Sequence, residues 1–497
     1  MALTTQTFES LNPATGAVVG THPVHGPEEV ASVVRRAREA AQWWAGLGYD
    51  GRRDLLGRWR TLLARRMSDL AELVHEENGK PRGDAELEIA LAIDHLSWAA
   101  GHARKVLGPH RVSPGLLLPN QAASVEYQPL GVIGVIGPWN YPVFTPMGSI
   151  AYALAAGNAV VFKPSEYTPG VGQWLAATFA EVVPDHPVFS VVTGLGETGA
   201  ALCEAGVDKI AFTGSAATGK KVMAACASTL TPLIVEAGGK DALLVDEDAD
   251  LDAAADAAVW GAMSNAGQTC IGVERCYVHE HVYDDFVSRV LEQAAELRAD
   301  QSPQAKIGPI TMPSQLRIIR AHIEDALARG GRAVLGGAEA VGERYVQPTV
   351  LVDVPEDATA VTEETFGPTV TITKVPDMDT AVRLANATRY GLGSTVFSGS
   401  RGMELARRLR SGMTSVNSMI AFAGIPALPF GGIGDSGFGR IHGADGLREF
   451  TYAKAIARQR VRPIMALTTF RRTPRTERAF ARLITVLHGR GALPRRR

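Results

Sequence analysis

A chain of 497 residues, 46% of them hydrophobic, can bury a large core, and its length favours two or three domains over one. A formal net charge of −2 offers no global field to recruit nucleic acid. Four cysteines, Cys203, Cys226, Cys270 and Cys276, show no metal-ligand spacing and are sparse for a disulfide scaffold, so no metal is expected and a reducing cytoplasm is.

The N-terminus, Met1 to Glu9, has neither a basic region nor an apolar one, so no signal peptide is expected. After an Asn12-Pro-Ala-Thr-Gly16 turn, Pro27 opens a segment whose apolar positions Val30, Val33, Val34, Ala37, Ala41 and Trp44 recur at helical spacing. Helical patterns continue from Arg52 through Asn78 and from Asp84 to about Val106, and nothing in these first hundred residues demands chemistry. No charged residue occurs between Glu126 and Lys163, but Pro138, Asn140, Pro142 and Pro146 interrupt that stretch. It reads as buried strands and a buried helix rather than a membrane span.

Ser124 to Tyr127 reads as a strand with one wet face, and Val132 to Ile136 as a fully buried one. Apolar β-type runs then recur at Ala159–Phe162, Val188–Val192, Lys209–Phe212 and Leu233–Val235. Helical stretches separate them at Met147–Ala156, Gly172–Val183, Thr198–Glu204 and Thr218–Ala227. Alternating βα units imply a parallel sheet with helices on both faces and ligands at the carboxyl ends of its strands. A second α/β set begins near Asp241: strand Ala242–Val245, helix Leu251–Met263, a loop holding Cys270, strand Glu274–Val278 and a helix from Val282. Strands at Thr349–Val352, Thr369–Val375 and Ser394–Phe397, and helices at Asp379–Asn386 and Met403–Leu409, follow. Beyond Phe450 the chain is strongly basic, with Glu477 its one acid. There Phe480, Leu483, Ile484 and Leu487 at i, i+3, i+4, i+7, with Arg475, Arg478 and Arg482 around them, describe a basic amphipathic helix. Such a helix packs on protein or touches an anionic membrane reversibly.

The candidates for chemistry lie at strand ends and in glycine-bearing loops. Cys270 ends Asn265-Ala-Gly-Gln-Thr-Cys270, and a nucleophilic role requires surroundings that favour the thiolate, for which the loop before Glu274 could offer backbone N–H groups. A lone cysteine is more often a small buried hydrophobe, the reading kept for Cys203, Cys226 and Cys276. Glu236 ends a buried strand before Ala-Gly-Gly, where desolvation would raise its pKa and suit a general base; alone it would be read as a solvated surface residue. Gly214 to Lys220 follows a strand and opens a helix, a place where backbone N–H groups receive phosphate, although Lys221 stands where a P-loop needs Ser or Thr. Lys163-Pro-Ser165-Glu166 puts a cation and a carboxylate at a strand end, and Asn140 in Pro138-Trp-Asn-Tyr-Pro142 offers an oxyanion-type amide donor.

Together these stretches resemble the aldehyde dehydrogenase superfamily from Asn12 to about Tyr452. The resemblance is carried by Pro138-Trp-Asn140, Lys163-Pro-Ser-Glu166, Phe212-Thr-Gly-Ser215, Glu236-Ala-Gly-Gly-Lys240, Gly267-Gln-Thr-Cys270 and Glu364-Thr-Phe-Gly-Pro368, with Pro429-Phe-Gly-Gly432 and Ser436-Gly-Phe-Gly-Arg440 beyond. It implies an α/β fold with a variant Rossmann dinucleotide-binding domain (1–110 and 130–238), an α/β catalytic domain (239–435), oligomerisation strands (111–129 and 451–460) and an additional basic tail (461–497). It further implies that Cys270 attacks an aldehyde, that Asn140 and the Cys270 N–H hold the oxyanion, and that Glu236 activates the water that hydrolyses the thioester. The dinucleotide would contact Ile136, Trp139, Lys163, Ser165, Glu166, Gly214, Ser215, Gly238, Glu364 and Phe366. Ala237 departs from the Leu usual after this glutamate.

NAD is the expected cofactor, with NADP the alternative, because Glu166 would repel a 2′-phosphate. The expected partners are a small aldehyde and further copies of the chain, as a homodimer or homotetramer, with peripheral membrane contact through the tail as the sharper reading. Tyr141, Phe144, Trp260, Ile271 and Phe422 lie near motif positions and could line an apolar tunnel. Gly148 occupies the position at which relatives acting on succinic semialdehyde carry Arg, so an apolar aliphatic, aromatic or terpenoid aldehyde is expected ahead of that one. A CoA-acylating relative would lack the carboxylate at Glu236, and a non-catalytic scaffold on this fold would have lost Cys270 or Glu236.

Overall fold

The structure, a computed structural model, describes residues 6–302, 304–465 and 467–489; the first five residues of the N-terminus and the last eight of the basic tail lie outside them. The chain divides into two units: Met1–Leu107 with Gln128–Tyr452, and Gly108–Tyr127 with Ala453–Arg497.

In the larger unit, strands Thr7–Leu11 and Val18–Pro23 form an antiparallel pair around the Asn12 turn, where the Asn12 side chain accepts from Ala14 N at 2.9 Å. Helices Pro27–Gly46, Gly48–Arg65, Met67–Asn78 and Arg82–Leu107 follow. The single helical stretch expected from Arg52 to Asn78 is two helices. They meet at Arg66, whose backbone leaves the helical region.

A six-stranded sheet comes next, in the order Gly437–Phe438, Leu233–Glu236, Lys209–Thr213, Val132–Ile136, Ala159–Lys163, Phe189–Val191. All neighbours are parallel except the Gly437–Phe438 edge strand, which runs antiparallel to Leu233–Glu236. Val132–Ile136 is the first of the parallel strands in the chain, and successive strands go to one side of it and then the other. That reversal opens a crevice at the carboxyl ends of Val132–Ile136 and its neighbours, the place where open α/β sheets bind ligands. Helix Phe144–Ala156 is almost wholly buried against the sheet and against helix Arg82–Leu107, as its uncharged sequence requires.

A seven-stranded sheet forms from Arg332–Leu335, Thr349–Val352, Thr369–Val375, Val273–His279, Asp241–Val245, Ser394–Phe397 and Ser415–Val416, in that order. Its neighbours are parallel except for the first pair. The sheet buries Leu243, Val245, Val278, Val350 and Ile372 under helices that include Leu251–Met263, Tyr283–Ala295 and Gln315–Ala328.

The smaller unit holds a three-stranded sheet in the order Thr451–Gln459, Gln121–Pro129, His110–Val112, two of whose strands extend from the larger unit, and the helix Pro474–His488. Gln121–Pro129 is half-buried along its whole length, so the expected one wet face is not distinguished. The tail helix has Thr473 as its N-cap, accepting from Thr476 N, and none of its residues is buried. Among the described residues, no helix is long and apolar enough to cross a membrane.

Candidate active site

At the carboxyl ends of the first sheet lies a cavity of about 940 Å³ that Cys270, Glu236 and Asn140 all line. It is also lined by Ile136, Trp139, Lys163, Ser165, Glu166 and, further along, by Gly214, Ser215, Gly238, Glu364 and Phe366. The catalytic and dinucleotide-contacting residues nominated from the resemblance therefore converge here from six separate stretches of chain.

The loop before Cys270 is held in an unusual conformation. Asn265, Ala266 and Gly267 have φ of 50°, 57° and 70°, a left-handed run that L-residues with a Cβ resist. Asn265 Nδ2 donates to Asn140 O at 2.9 Å, and the buried Gln268 side chain donates to Asn265 O at 2.9 Å and accepts from Thr311 N at 2.8 Å. At Gly267 any Cβ would overlap the Gly367 carbonyl, so this glycine is a close-approach requirement as well as a turn.

Cys270 itself is half-buried. Burial first, then the carboxyls of Glu364, Asp241 and Glu236, push its thiol above the usual range, and the Ile271 N–H pulls the other way. The loop thus provides the expected backbone donor, but the surroundings as a whole favour the neutral thiol. The causes are burial of the thiol and, after it, the carboxyls gathered around it.

Glu236 ends its strand with 3% of its surface exposed. Neither carboxylate oxygen has a hydrogen-bond partner among the described residues, and burial raises its pKa well above the usual carboxylate range against a smaller pull from Arg440. This matches the sequence expectation of a desolvated carboxyl. Asn140 donates one amide hydrogen to Gln268 O at 2.9 Å, and its NH2 group has a second.

Much of this geometry is set by residues from the first hundred, where no chemistry was expected. Lys80 Nζ bonds Glu88 Oε2 at 2.5 Å and Asn140 O at 2.8 Å, all three groups buried. Glu88 Oε1 accepts from Val143 N at 2.7 Å and Phe144 N at 3.0 Å, which satisfies the free N–H groups that open helix Phe144–Ala156. Asn78 Nδ2 donates to Trp139 O at 3.0 Å. Such buried partners carry no motif; they become visible only when helix Arg82–Leu107 is packed on the Trp139–Phe144 segment.

The remaining wall suits an extended, partly anionic ligand. Ser215 caps helix Ala216–Ala227, accepting from Thr218 N at 3.2 Å, so the positive end of this helix faces the cavity. Lys163 Nζ donates to Pro164 O at 3.0 Å and lies 3.9 Å from Glu166 Oε2, which in turn accepts from Ser165 Oγ at 3.2 Å. Glu364 accepts from Gly239 N at 3.1 Å, and its pKa is raised to about 8, chiefly by burial and then by Glu274. Phe366, with φ 54°, sets its ring edge-on to Trp139 at 5.7 Å. Backbone N–H groups of Thr365 and Phe366 bind Glu274, whose partner is Lys240.

Of the five tunnel candidates only Phe144 lines the cavity. The Tyr141 hydroxyl instead pairs with Thr269 Oγ1 at 3.0 Å, its ring lying under Lys80 Nζ, while Trp260 is 37% exposed and Ile271 and Phe422 are buried. Met312, Gln315 and Ile318 line the wall from a stretch left unassigned in the sequence, although Leu316, Ile319, Ile323 and Leu327 carry the helical period there. Cys203 is buried as expected and also lines the cavity. Phe430, Ile441 and His442 complete it. Elsewhere Glu247, His279 and His281 bring their ligand atoms within 4.8 Å of one another, with His281 Nδ1 already 2.9 Å from Glu247 Oε2.

The chain is similar to known proteins over nearly its whole length. Residues 2–456 match the model of the aldehyde dehydrogenase family. The chain is 36% identical over 474 residues to a 4,4′-diapolycopene aldehyde oxidase of Methylomonas sp, covering 94% of this chain and 87% of that one. It is 37% identical over 455 residues to a putative succinate-semialdehyde dehydrogenase [NADP(+)] of Mycolicibacterium smegmatis, covering 90% and 88%. The crystal structure of an NAD-dependent aldehyde dehydrogenase from Sinorhizobium meliloti superposes with a TM-score of 0.88 at 34% identity, covering 93% of each chain. The chain belongs to the aldehyde dehydrogenase family, enzymes that oxidise aldehydes with a nicotinamide dinucleotide.

Proposed function

We propose that this protein oxidises an apolar aldehyde to the carboxylic acid with NAD, by covalent catalysis at Cys270 and hydrolysis assisted by Glu236. The observation that carries the reading is the opening of Cys270, Asn140 and Glu236 onto one cavity that continues into the crevice of the first sheet. The fit of a dinucleotide is supported by the capped helix start at Ser215, by Glu166 beside Lys163 for a ribose, and by Glu364 beside Gly238 and Phe366 for a second ribose. Ile136, Trp139, Ser165 and Gly214 complete that wall. A nicotinamide dinucleotide held by these residues would supply the hydride acceptor for the substrate carbon.

Cys270, after losing its thiol proton to solvent, attacks the aldehyde carbon as the thiolate, and the resulting thiohemiacetal oxyanion takes hydrogen bonds from the second Asn140 amide hydrogen and the Cys270 N–H. Its oxidation leaves a thioester on Sγ. Glu236 then removes a proton from water as that water attacks the thioester, and the acid leaves as Cys270 is regenerated. The free carboxylate oxygens of Glu236 support this role, and they argue against a CoA-acylating relative or a non-catalytic scaffold.

The preference for NAD rests on Glu166, although one relative is named for NADP(+) and another for NAD. The apolar substrate rests on Phe144, Phe430, Ile441 and Met312 in the wall, and on Gly148. There a Cβ would lie 2.9 Å from Ile441 Cδ1, leaving no room for a guanidinium-bearing side chain. Succinic semialdehyde is the second reading, favoured by the Mycolicibacterium relative. Residues 1–110 with 130–238 form the dinucleotide half and 239–435 the catalytic half. The enzyme works in the cytoplasm as a homodimer or homotetramer joined through strands 111–129 and 451–460.

The test is a panel of medium-chain, aromatic and carboxylate-bearing aldehydes with NAD and NADP side by side, read by absorbance of the reduced cofactor. Apolar aldehydes with NAD are expected to be turned over fastest, and Cys270→Ala to give no signal. Full activity in Cys270→Ala would sink the mechanism.

A further inference from the structure

At the end of the seven-stranded sheet opposite Cys270, two imidazoles and a carboxylate gather. Strands Asp241–Val245 and Val273–His279 are parallel neighbours, with Val245 beside Val278, so both finish at the same edge. Glu247 stands two residues past the first strand, in a turn where Ala249 N bonds Asp246 O at 3.2 Å. His279 ends the second strand, and His281 follows in a turn where Val282 N bonds His279 O at 3.1 Å. Ligand atoms of these three side chains lie within 4.8 Å of one another. Cys270 precedes the other end of Val273–His279, so the length of that strand, roughly 20 Å, separates the cluster from the thiol.

His281 Nδ1 lies 2.9 Å from Glu247 Oε2, and such a pair alone would be an ordinary surface contact. The third member changes that. His279 is buried at 7% exposure, and its ring centroid lies 4.6 Å from that of His281, at an interplanar angle of 62°. Its Nδ1 accepts from His281 N at a long 3.3 Å. Among the described residues no lysine or arginine pairs with Glu247, so its carboxylate has no permanent cation. Asp377 adds negative charge nearby: its pKa is lowered first by the Thr380 N–H and, among smaller causes, by His279.

We infer that Glu247, His279 and His281 form a binding site for a divalent transition-metal ion of the zinc class, which ties the two turns together. A tetrahedral zinc ion with bonds of about 2.0–2.1 Å sets its ligand atoms about 3.4 Å apart. The Glu247 and His281 side chains are half-exposed or more, so their rotation closes the difference around the buried His279. Two imidazoles and one carboxylate select Zn2+ and its first-row neighbours over Mg2+ and Ca2+, which favour oxygen ligands. The ion takes the place of the proton shared by His281 and Glu247, and water fills its fourth position. The turns it joins open helices Leu251–Met263 and Tyr283–Ala295, and the first of these leads back to the Cys270 loop. The ion is a structural clamp, and the site stands independently of the proposed aldehyde oxidation.

The experiment dialyses chelator-treated full-length protein against Zn2+ or Mg2+ and counts the metal bound per chain, beside His279→Asn, His281→Asn and Glu247→Gln. Wild type should hold one more Zn2+ per chain than either histidine variant, and Glu247→Gln should bind that ion about tenfold or more weakly. At a hundredfold excess over its Kd, Zn2+ should raise the thermal midpoint of wild type by roughly 3 °C relative to its effect on His281→Asn. Circular dichroism checks the fold of each variant. The exposed His281 makes His281→Asn decisive even if His279→Asn does not fold. Equal Zn2+ content in wild type and His281→Asn would overturn the proposal, any bound ion then lying elsewhere, as on the thiols. Mg2+ lost with His281 while Zn2+ is not would overturn the assigned class of ion.

Discussion

Glu236 illustrates how burial bears on the base role proposed for one residue. A carboxyl whose folded pKa is raised is neutral below that pKa and can accept no proton from water, so deacylation should gain base as pH rises. The Cys270 thiol is shifted in the same direction, and its thiolate fraction also grows with pH. Turnover is therefore expected to climb as pH rises and to keep climbing on the alkaline side of neutrality. Glu236→Gln should lower kcat by roughly a hundredfold or more and leave an acylated enzyme detectable by mass spectrometry. Unchanged steady-state hydrolysis in that variant would refute the assignment. At this scale much was legible: a carboxyl between a buried strand and Ala237-Gly238-Gly239 announces desolvation. The raised thiol was not, because its burial and the nearby carboxyls of Glu364 and Asp241 come from chain remote in sequence from Cys270.

At the scale of elements, residues of the first hundred prove to hold the Trp139–Phe144 segment. Lys80 and Glu88 are buried as a pair, and Glu88 also receives the first N–H groups of helix Phe144–Ala156. Removing one member leaves an uncompensated buried charge, so Glu88→Ala should cost about 3 kcal/mol in denaturant unfolding. It should also lower kcat by displacing Asn140, and a variant with wild-type stability and rate would remove Glu88 from this role. The central strands and helices were legible because their periods and punctuation are local: Val132–Ile136, Leu251–Met263, Thr349–Val352, Thr369–Val375 and Ser394–Phe397 fall where their sequences place them. Helix Gln315–Ala328 went unassigned, although its apolar positions carry the helical period; strand Arg332–Leu335 is a short edge strand with a charged first residue and no buried one.

For the whole molecule, the basic tail is the open element. Helix Pro474–His488 leaves Phe480, Leu483, Ile484 and Leu487 only half-buried and Val486 exposed, with Arg475, Arg478 and Arg482 exposed around them. We propose that it makes peripheral contact with anionic membrane. Full-length protein should float with anionic liposomes and lose that association in high salt, whereas a 1–460 truncation should stay in the soluble fraction; equal flotation would discard the idea. Sedimentation of both forms reads the oligomeric state at the same time.

The amino-acid sequence by itself determined the family, the two α/β sets and the candidates for the reacting groups, because strand and helix periods, glycine-bearing turns and the motif residues are properties of contiguous chain. What only the tertiary structure decided is what those groups face. The Lys80–Glu88 support of Asn140, the burial and nearby carboxyls that push the Cys270 thiol up, and the imidazole of His442 standing where Gly148 has no side chain all arise between residues far apart in sequence. Their energies come from burial and pairing, which exist only once the sheets and helices are packed together.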